Sequence, residues 1–474
     1  MSPAGKAQCF AVLRGETDQR LNVVYFASGH QALIAKLAAH PRCISLGKVV
    51  GECGFGVLPP GNSYLKEGGV RFLRATELGP DNVVDWNACL RAPSEFARHN
   101  RATLKIGDVL IAVKGATIAS EKSVCTVTEL SEHTIINGSI FRFQPVGDTS
   151  AAFLLEVLSA GFMRQQMKGA LIQNNAVDYL SKGVLDSLLF PLPPRREQEK
   201  LIVAMDAARA ARRAKRAEAD ALLAGMDECV LQILGINIPA RNTRTVFAVR
   251  YKEISRHQMG VSLYAPDLRD FIGALAGTRY PARRLGDEVI LNPPTSTDEL
   301  EADTPVSFIP MEAVAESAEG SVSLKSRPLA EVSKGYTPFN EGDVLWAKIT
   351  PCMENGKSCV AKGLSNGVGF GSTEFHVLRP SSERVLADYL HSFLSLACFR
   401  RVARYAFTGS AGHQRVPEQF LAELPFPVPP ISVQEKIVRE AEERRMQARR
   451  LRQQAESDWQ RAKAEFEAAL LGKG

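Results

Sequence analysis

Asn292-Pro293-Pro294-Thr295 has a chemical reading, because an Asn-Pro-Pro-aromatic turn positions the target amine in amino-methyltransferases. The aromatic that would stack on a flipped base is missing, and Thr295 stands in its place. Gly51-Glu52-Cys53-Gly54-Phe55-Gly56 imitates a glycine-rich cofactor turn, yet no helix clearly follows it. The sequence has no G-x4-G-K-[ST] phosphate loop and no H-E-x-x-H, and its eight histidines are dispersed rather than paired at ligand spacing. The nine cysteines are odd in number and scattered, with no C-x2-C pair to share a zinc. They are expected to be reduced, mostly buried thiols of a cytosolic protein. The expectation is a chain without catalysis of its own, with no cofactor and no metal.

The elements that would hold any site are bounded by composition. A chain of 474 residues, 45% apolar and 23% charged, is ordinary globular material with room for two to four cores, which excludes disordered and collagen-like classes. The N-terminal residues run into no signal-like apolar core, and no stretch approaches the roughly 18 uncharged apolar residues of a membrane span, so an intracellular protein with no membrane partner is expected. A formal charge of +6 permits a nucleic-acid partner without requiring one.

The chain matches itself at an offset near 237 residues. Phe10-Ala11-Val12 returns as Phe247-Ala248-Val249, Leu46-Gly47 as Leu285-Gly286, and Gly107-Asp108-Val109-Leu110 as Gly342-Asp343-Val344-Leu345. Phe190-Pro191-Leu192-Pro193-Pro194 returns as Phe426-Pro427-Val428-Pro429-Pro430, Gln198-Glu199-Lys200 as Gln434-Glu435-Lys436, and Leu234-Gly235 as Leu471-Gly472. Each half therefore follows one plan: a mixed segment, a proline-rich stop, then a long helix.

Within the mixed segments, Val109 to Val113 and Thr134 to Phe143 are β-rich and bounded by Gly, Asn and Pro, as in short strands of an α/β (α+β) domain. Ala151 to Lys168 and Val385 to Arg404 have helical periodicity with late arginines, Arg164 in one and Arg400, Arg401 and Arg404 in the other. These cations either complement a helix C-terminus or contact phosphate. After Pro194 and Pro430 the composition turns to Ala, Glu, Lys, Arg and Gln, predicting helices over Glu197–Leu234 and Gln434–Leu471. The first, at 38 residues, would be about 57 Å long. Apolar stripes that neither helix can bury alone predict that the two pack on each other. Their arginine-rich middles form either a solvated face or a DNA-facing one.

The boundary motif, a Leu-Pro-Pro-like turn followed by a Glu-Gln pair opening a long helix, resembles that of the DNA-specificity subunits of type I restriction-modification systems. It runs from Pro191 through Gln198-Glu199-Lys200-Leu201-Ile202, and again from Pro427 through Gln434-Glu435-Lys436-Ile437-Val438. Val433 departs from the glutamate usual before Gln434. The resemblance implies two target-recognition domains separated by two long helices in an antiparallel coiled coil, here 1–194 and 236–430 with helices 195–235 and 431–474. It also implies that each domain reads half of a bipartite site on double-stranded DNA, as the two halves of a dimeric repressor do. The implied partners are two adenine-methyltransferase subunits and, through them, motor-nuclease restriction subunits.

Under that resemblance, polar and basic residues in glycine-containing loops are the candidate DNA contacts. In the first domain they are Arg71, Arg74, Lys114, Lys122, Gln173, Asn174 and Asn175, and in the second Lys348, Asn355, Lys357, His413, Gln414 and Arg415. Gln and Asn suit adenine, and Arg suits guanine. A solvated loop side chain is the other reading of each, and a coiled-coil scaffold that binds only protein is the other reading of the whole. If the helices act as a ruler, removing four residues from each should shorten the gap in the target by about two base pairs.

Overall fold

A computed structural model describes residues 28–61, 63–172, 178–250, 260–316, 320–410 and 413–472. The described chain divides into two compact units, with boundaries between Arg213 and Ala214 and between Gln454 and Ala455.

In the first unit, β1 (Cys43–Ser45), β2 (Val50–Phe55), β3 (Val70–Leu73), β4 (Leu90–Ala92), β5 (Val109–Ala112), β6 (Val124–Thr126), β7 (Thr134–Ile136), β8 (Ile140–Pro145) and β9 (Leu189–Pro191) form short sheets. The main sheet has the order β2-β8-β5-β6, a smaller one β4-β3-β7, and β1 pairs with β9. All pairs are antiparallel except β3 with β7. The wholly apolar β5 is covered on both faces, because successive side chains point to opposite sides of a strand. Val109 and Ile111 join Phe153, Leu154 and Leu158 in one core, while Leu110 and Ala112 join Phe72 and Ile135 in another.

The second unit contains β10 (Ala282–Arg284), β11 (Val289–Leu291), β12 (Pro305–Ile309), β13 (Lys325–Pro328), β14 (Thr337–Asn340), β15 (Val344–Ala347), β16 (Ser358–Val360), β17 (Val368–Gly371), β18 (Phe375–Pro380) and β19 (Pro425–Pro427). Its sheets run β11-β18-β15-β16, β13-β12-β17-β14 and β10-β19, again with one parallel pair, β12 with β17. The alternation on β15 matches that on β5. Val344 and Trp346 face the core that holds Phe393 and Phe399, and Leu345 and Ala347 face a smaller one.

The repeated Gly-Asp-Val-Leu tetrad has a local cause. Gly107 and Gly342 adopt φ of 87° and 84°, which a side chain at Cβ disfavours, and so turn the chain into β5 and β15. The following aspartate closes the turn by accepting a backbone N–H, Lys105 to Asp108 and Asn340 to Asp343, each at 2.7 Å. Both carboxylates are buried against an arginine from the neighbouring strand. Arg142 donates Nε and Nη2 to Asp108 at 2.7 and 2.9 Å, and Arg379 donates the same pair to Asp343 at 2.7 and 2.8 Å.

Two expected helices are each split. The first becomes Ala151–Ser159 and Gly161–Gly169, with Ala160 extended between them, and the second becomes Ala387–Leu394 and Ala397–Ala403, with Leu396 extended. Each break is stabilised by a carboxylate from a long helix of the same unit. Glu467 accepts from Gly161 N–H at 2.5 Å, and Asp227 accepts from the N–H groups of Ala397 and Cys398 at 2.9 and 2.8 Å. Such acceptors satisfy orphan donors at a helix start and suit its positive end.

The long helices are Arg195–Leu234 and Ile431–Leu471. They begin two and three residues before the predicted starts, because the Pro194 and Pro430 carbonyls already accept from Gln198 and Gln434 at 3.1 Å. Both glutamines are buried and fasten the helix start to the domain. Gln198 donates to Pro193 O and Asp148 O, while Gln434 donates to Pro429 O and Arg384 O and accepts from Leu386 N–H. Within the first unit Met205 joins Trp459, Phe466 and Leu470 in the core, and Arg212 bonds Glu456 at 2.8 Å. Within the second, Ala219 and Leu223 pack on Ala448, and Arg452 bonds Asp220 at 2.6 Å.

Candidate nucleic-acid interface

In the second unit, Lys348, His413, Gln414 and Arg415 come together at one end of β15. Lys348 follows the strand directly, and its backbone N–H donates to Glu374 O at 2.9 Å. The segment carrying Arg415 is tied to Thr408 and Ile349 by bridges and to Thr350 by the Gln414 carbonyl. Arg415 donates Nε and Nη2 to the two Glu374 carboxylate oxygens at 2.8 and 2.6 Å, and Nη1 to His413 O at 2.9 Å. Hydrogen bonds from Arg415, with added attraction from Arg415, Lys348 and His413, hold the Glu374 carboxyl below the ordinary glutamate range. Burial draws the half-buried Lys348 ammonium below the usual lysine value, opposed by Glu374. His413 is exposed, and Arg415 keeps 42% of its side chain accessible.

Lys357 and Asn355 do not join this group. Lys357 donates Nζ to Met311 O and Val314 O at 3.1 and 3.2 Å, and Asn355 donates to Glu316 at 3.3 Å. Both fasten the turn after β15 to the 311–316 segment.

In the first unit Lys114 and Lys122 are exposed, and Lys114 bridges Tyr179 through the backbone. Gln173, Asn174 and Asn175 lie outside the described residues. Arg71 pairs with Glu132 at 2.5 Å and lies over Trp86, 5.6 Å from the ring centroid. Arg74 donates to Glu77 from Nε and Nη2, while Glu77 also accepts the Arg74 backbone N–H at 2.7 Å.

The late helix arginines are engaged inside their own units. Arg400 donates to Glu354 O at 2.6 Å, Arg401 pairs with Asp267 and Arg404 with Glu354, and Arg164 lies 3.8 Å from Glu121. Of the helix-middle arginines, Arg209 is buried on Glu156 at 2.6 Å beneath Trp459, and Arg212 binds Asp81 and Glu456. Neither has the solvated surface the composition allowed. Arg445 sits at the matching place in the second unit beside Ser392, where burial pulls its guanidinium down to about 10.

Asn292 holds a strand edge. It accepts Val377 N–H at 3.1 Å and donates to Glu418 at 2.6 Å. Gly54 and Gly56 belong to β2 and its exit, where a Cβ would press on backbone atoms of Arg101 and of Ile136 and Asn137. Among the described residues, no group of three or more His, Cys, Asp or Glu could hold a metal ion, and no helix is long and apolar enough to cross a membrane.

Residues 290–440 match the family model of the type I restriction modification DNA specificity domain. That stretch is similar to a type I DNA-specificity domain. The match includes β15, β18, Glu374 and Arg415. One curated relative, the specificity subunit of the type I restriction enzyme EcoAI of Escherichia coli, is 42% identical over 133 residues, 28% of this chain and 23% of that protein. The EcoEI specificity subunit of the same organism is 38% identical over 154 residues, 32% of this chain and 26% of that one. The matched stretch thus spans about a quarter of the length of these specificity subunits. A solved structure from work on complex assembly and conformational transition of the type I R-M system aligns over 91% of this chain and 98% of its own, at 15% identity and TM-score 0.53, a likeness of fold.

Proposed function

We propose that this chain is the DNA sequence-reading subunit of a type I restriction-modification complex, itself non-catalytic, acting in the cytoplasm. The observation that carries the reading is the match of residues 290–440 to the DNA-specificity domain, joined to 42% and 38% identity with two specificity subunits. In this reading 1–194 and 236–430 are target-recognition domains and 195–235 and 431–474 the helices of a coiled coil. The equal strand order of the main sheets, with the Asp108–Arg142 and Asp343–Arg379 pairs at matching places, supports two copies of one frame. Two related but unequal domains suit a bipartite duplex target, as related half-site readers do in dimeric repressors. The helices would dock two adenine-methyltransferase subunits and, through them, the motor-nuclease subunits.

We assign the DNA contacts to the exposed Lys114, Lys122 and His413 and to Lys348, Gln414 and Arg415, together with Gln173, Asn174 and Asn175 of the first domain. Arg71, Arg74, Asn355 and Lys357 shape the neighbouring loops. The test is binding of the full chain, expressed with the methyltransferase subunits of its host, to a randomised duplex library over a range of salt. One bipartite consensus with salt-dependent affinity is expected. Equal affinity for all duplexes would sink the proposal.

A further inference from the structure

Two backbone hydrogen bonds at the end of the central strand are repeated between the units. Val113 N–H donates to Ser139 O at 2.8 Å and Leu180 N–H to Val113 O at 2.9 Å. In the second unit Lys348 N–H donates to Glu374 O at 2.9 Å and Val416 N–H to Lys348 O at 3.0 Å. The bridges correspond as well, Lys114 and Ile172 to Tyr179 in one and Ile349 and Thr408 to Arg415 in the other. The frame is shared and the side chains are not: Val113, Ser139 and Tyr179 are neutral, where Lys348, Glu374 and Arg415 are charged.

We propose that Arg415, aligned by Glu374, is the residue of the second unit that discriminates sequence, and that it recognises a guanine edge in the major groove of duplex DNA. The inference rests on the DNA-reading function proposed above. A guanidinium has five N–H donors. Glu374 takes one from Nε and one from Nη2, and the His413 carbonyl takes one from Nη1. One N–H is left on each terminal nitrogen, and with the Cδ-side Nη1 hydrogen on the His413 carbonyl these two form the parallel pair that guanine O6 and N7 require. The carboxylate also holds the fork in one orientation before binding, so less rotamer freedom is lost on contact. It cancels much of the arginine charge, which weakens attraction to a phosphate while leaving the directional donors intact. Glu374 is therefore a positioning residue rather than a DNA contact. The uncharged Tyr179 frame of the first unit offers no such fork, so the two units discriminate by different chemistry.

Selection of the full chain with its methyltransferase subunits on a randomised duplex library, repeated with R415A, R415K and E374A, tests this. Wild type should return a consensus with a fixed G·C pair in one half. R415A and R415K should each lose about 10- to 100-fold preference at that pair alone, with the other positions unchanged. R415K keeps the charge, so its salt dependence should stay that of wild type. E374A should weaken preference at the same pair and nowhere else, an effect that general destabilisation does not produce. Unchanged preference at every position in R415K and R415A overturns the inference, as does a uniform loss across all sequences, which marks a phosphate contact. A wild-type selection without any consensus instead overturns the DNA-reading function itself.

Discussion

Asp108 and Arg142 are both fully buried and pair at 2.7 Å, and Arg142 has a second carboxylate only in the half-exposed Glu52 at 3.1 Å. Removing Asp108 takes away the buried member of that set and both of its hydrogen bonds to the guanidinium. D108A is expected to cost about 3–5 kcal/mol of first-unit stability, measured by denaturant unfolding. His391 supplies a pH dependence in the second unit. Its ring is buried beside Ser358 Oγ at 3.1 Å, and burial, reinforced by Arg445, holds it well below the ordinary value of 6.5. In the unfolded chain the ring takes up a proton as pH falls past about 6.5, whereas in the folded unit it stays neutral to lower pH. The unfolded state then binds more protons, so stability is full above that value and declines below it. H391Q should flatten the fall of second-unit melting temperature between pH 7 and 5, and an unaltered slope would show that other groups govern it. Glu374 is no switch near neutrality: its lowered carboxyl stays ionised there, so the Arg415 pair is expected to persist from pH 5.5 to 8.

The element that closes each domain is the start of its long helix. The recurring Gln198-Glu199-Lys200 and Gln434-Glu435-Lys436 patterns announced the helices, and the glutamine side chains explain the recurrence. Gln434, itself fully buried, bonds two carbonyls and one N–H. Q434A should destabilise the second unit by about 2–3 kcal/mol, with amide exchange rising first around residues 384–387. The split helices were not legible in the same way. Apolar periodicity runs unbroken through Leu154 to Phe162 and through Leu390 to Phe399, and nothing local forces a break at Ala160 or Leu396. The breaks are stabilised by Glu467 and Asp227, which lie 306 and 170 residues from the N–H groups they receive.

At the scale of the molecule, the final helix belongs to both units by its packing. Residues after Gln454 contribute Trp459, Phe466 and Leu470 to the core of the first unit, although they follow the second in sequence. A chain truncated after Gln454 is therefore expected to lose amide protection over Ala151–Gly169 while retaining it over Val344–Ala347 and Ala387–Leu394. Equal protection in both regions would show that those three side chains contribute little. Each fully buried side chain of this size contributes roughly 1.5–3 kcal/mol, which exceeds what a domain of marginal stability can lose without partial opening.

The sequence alone determined the repeat, the strands at its Gly-Asp turns, the proline-bounded helices and the family resemblance. These are local or periodic signals, set by φ preferences, side-chain alternation and the missing proline N–H. It also singled out Arg415 and Lys348 as polar loop residues. Only the tertiary structure decided which charges are spent internally, because Arg71, Arg74, Lys357 and Arg209 look as free in sequence as Lys114 does, and their partners come from other segments. Glu374 carried no signal of its own in the chain. Its role arises where the start of β18 meets the segment before β19, a proximity that chain order does not encode.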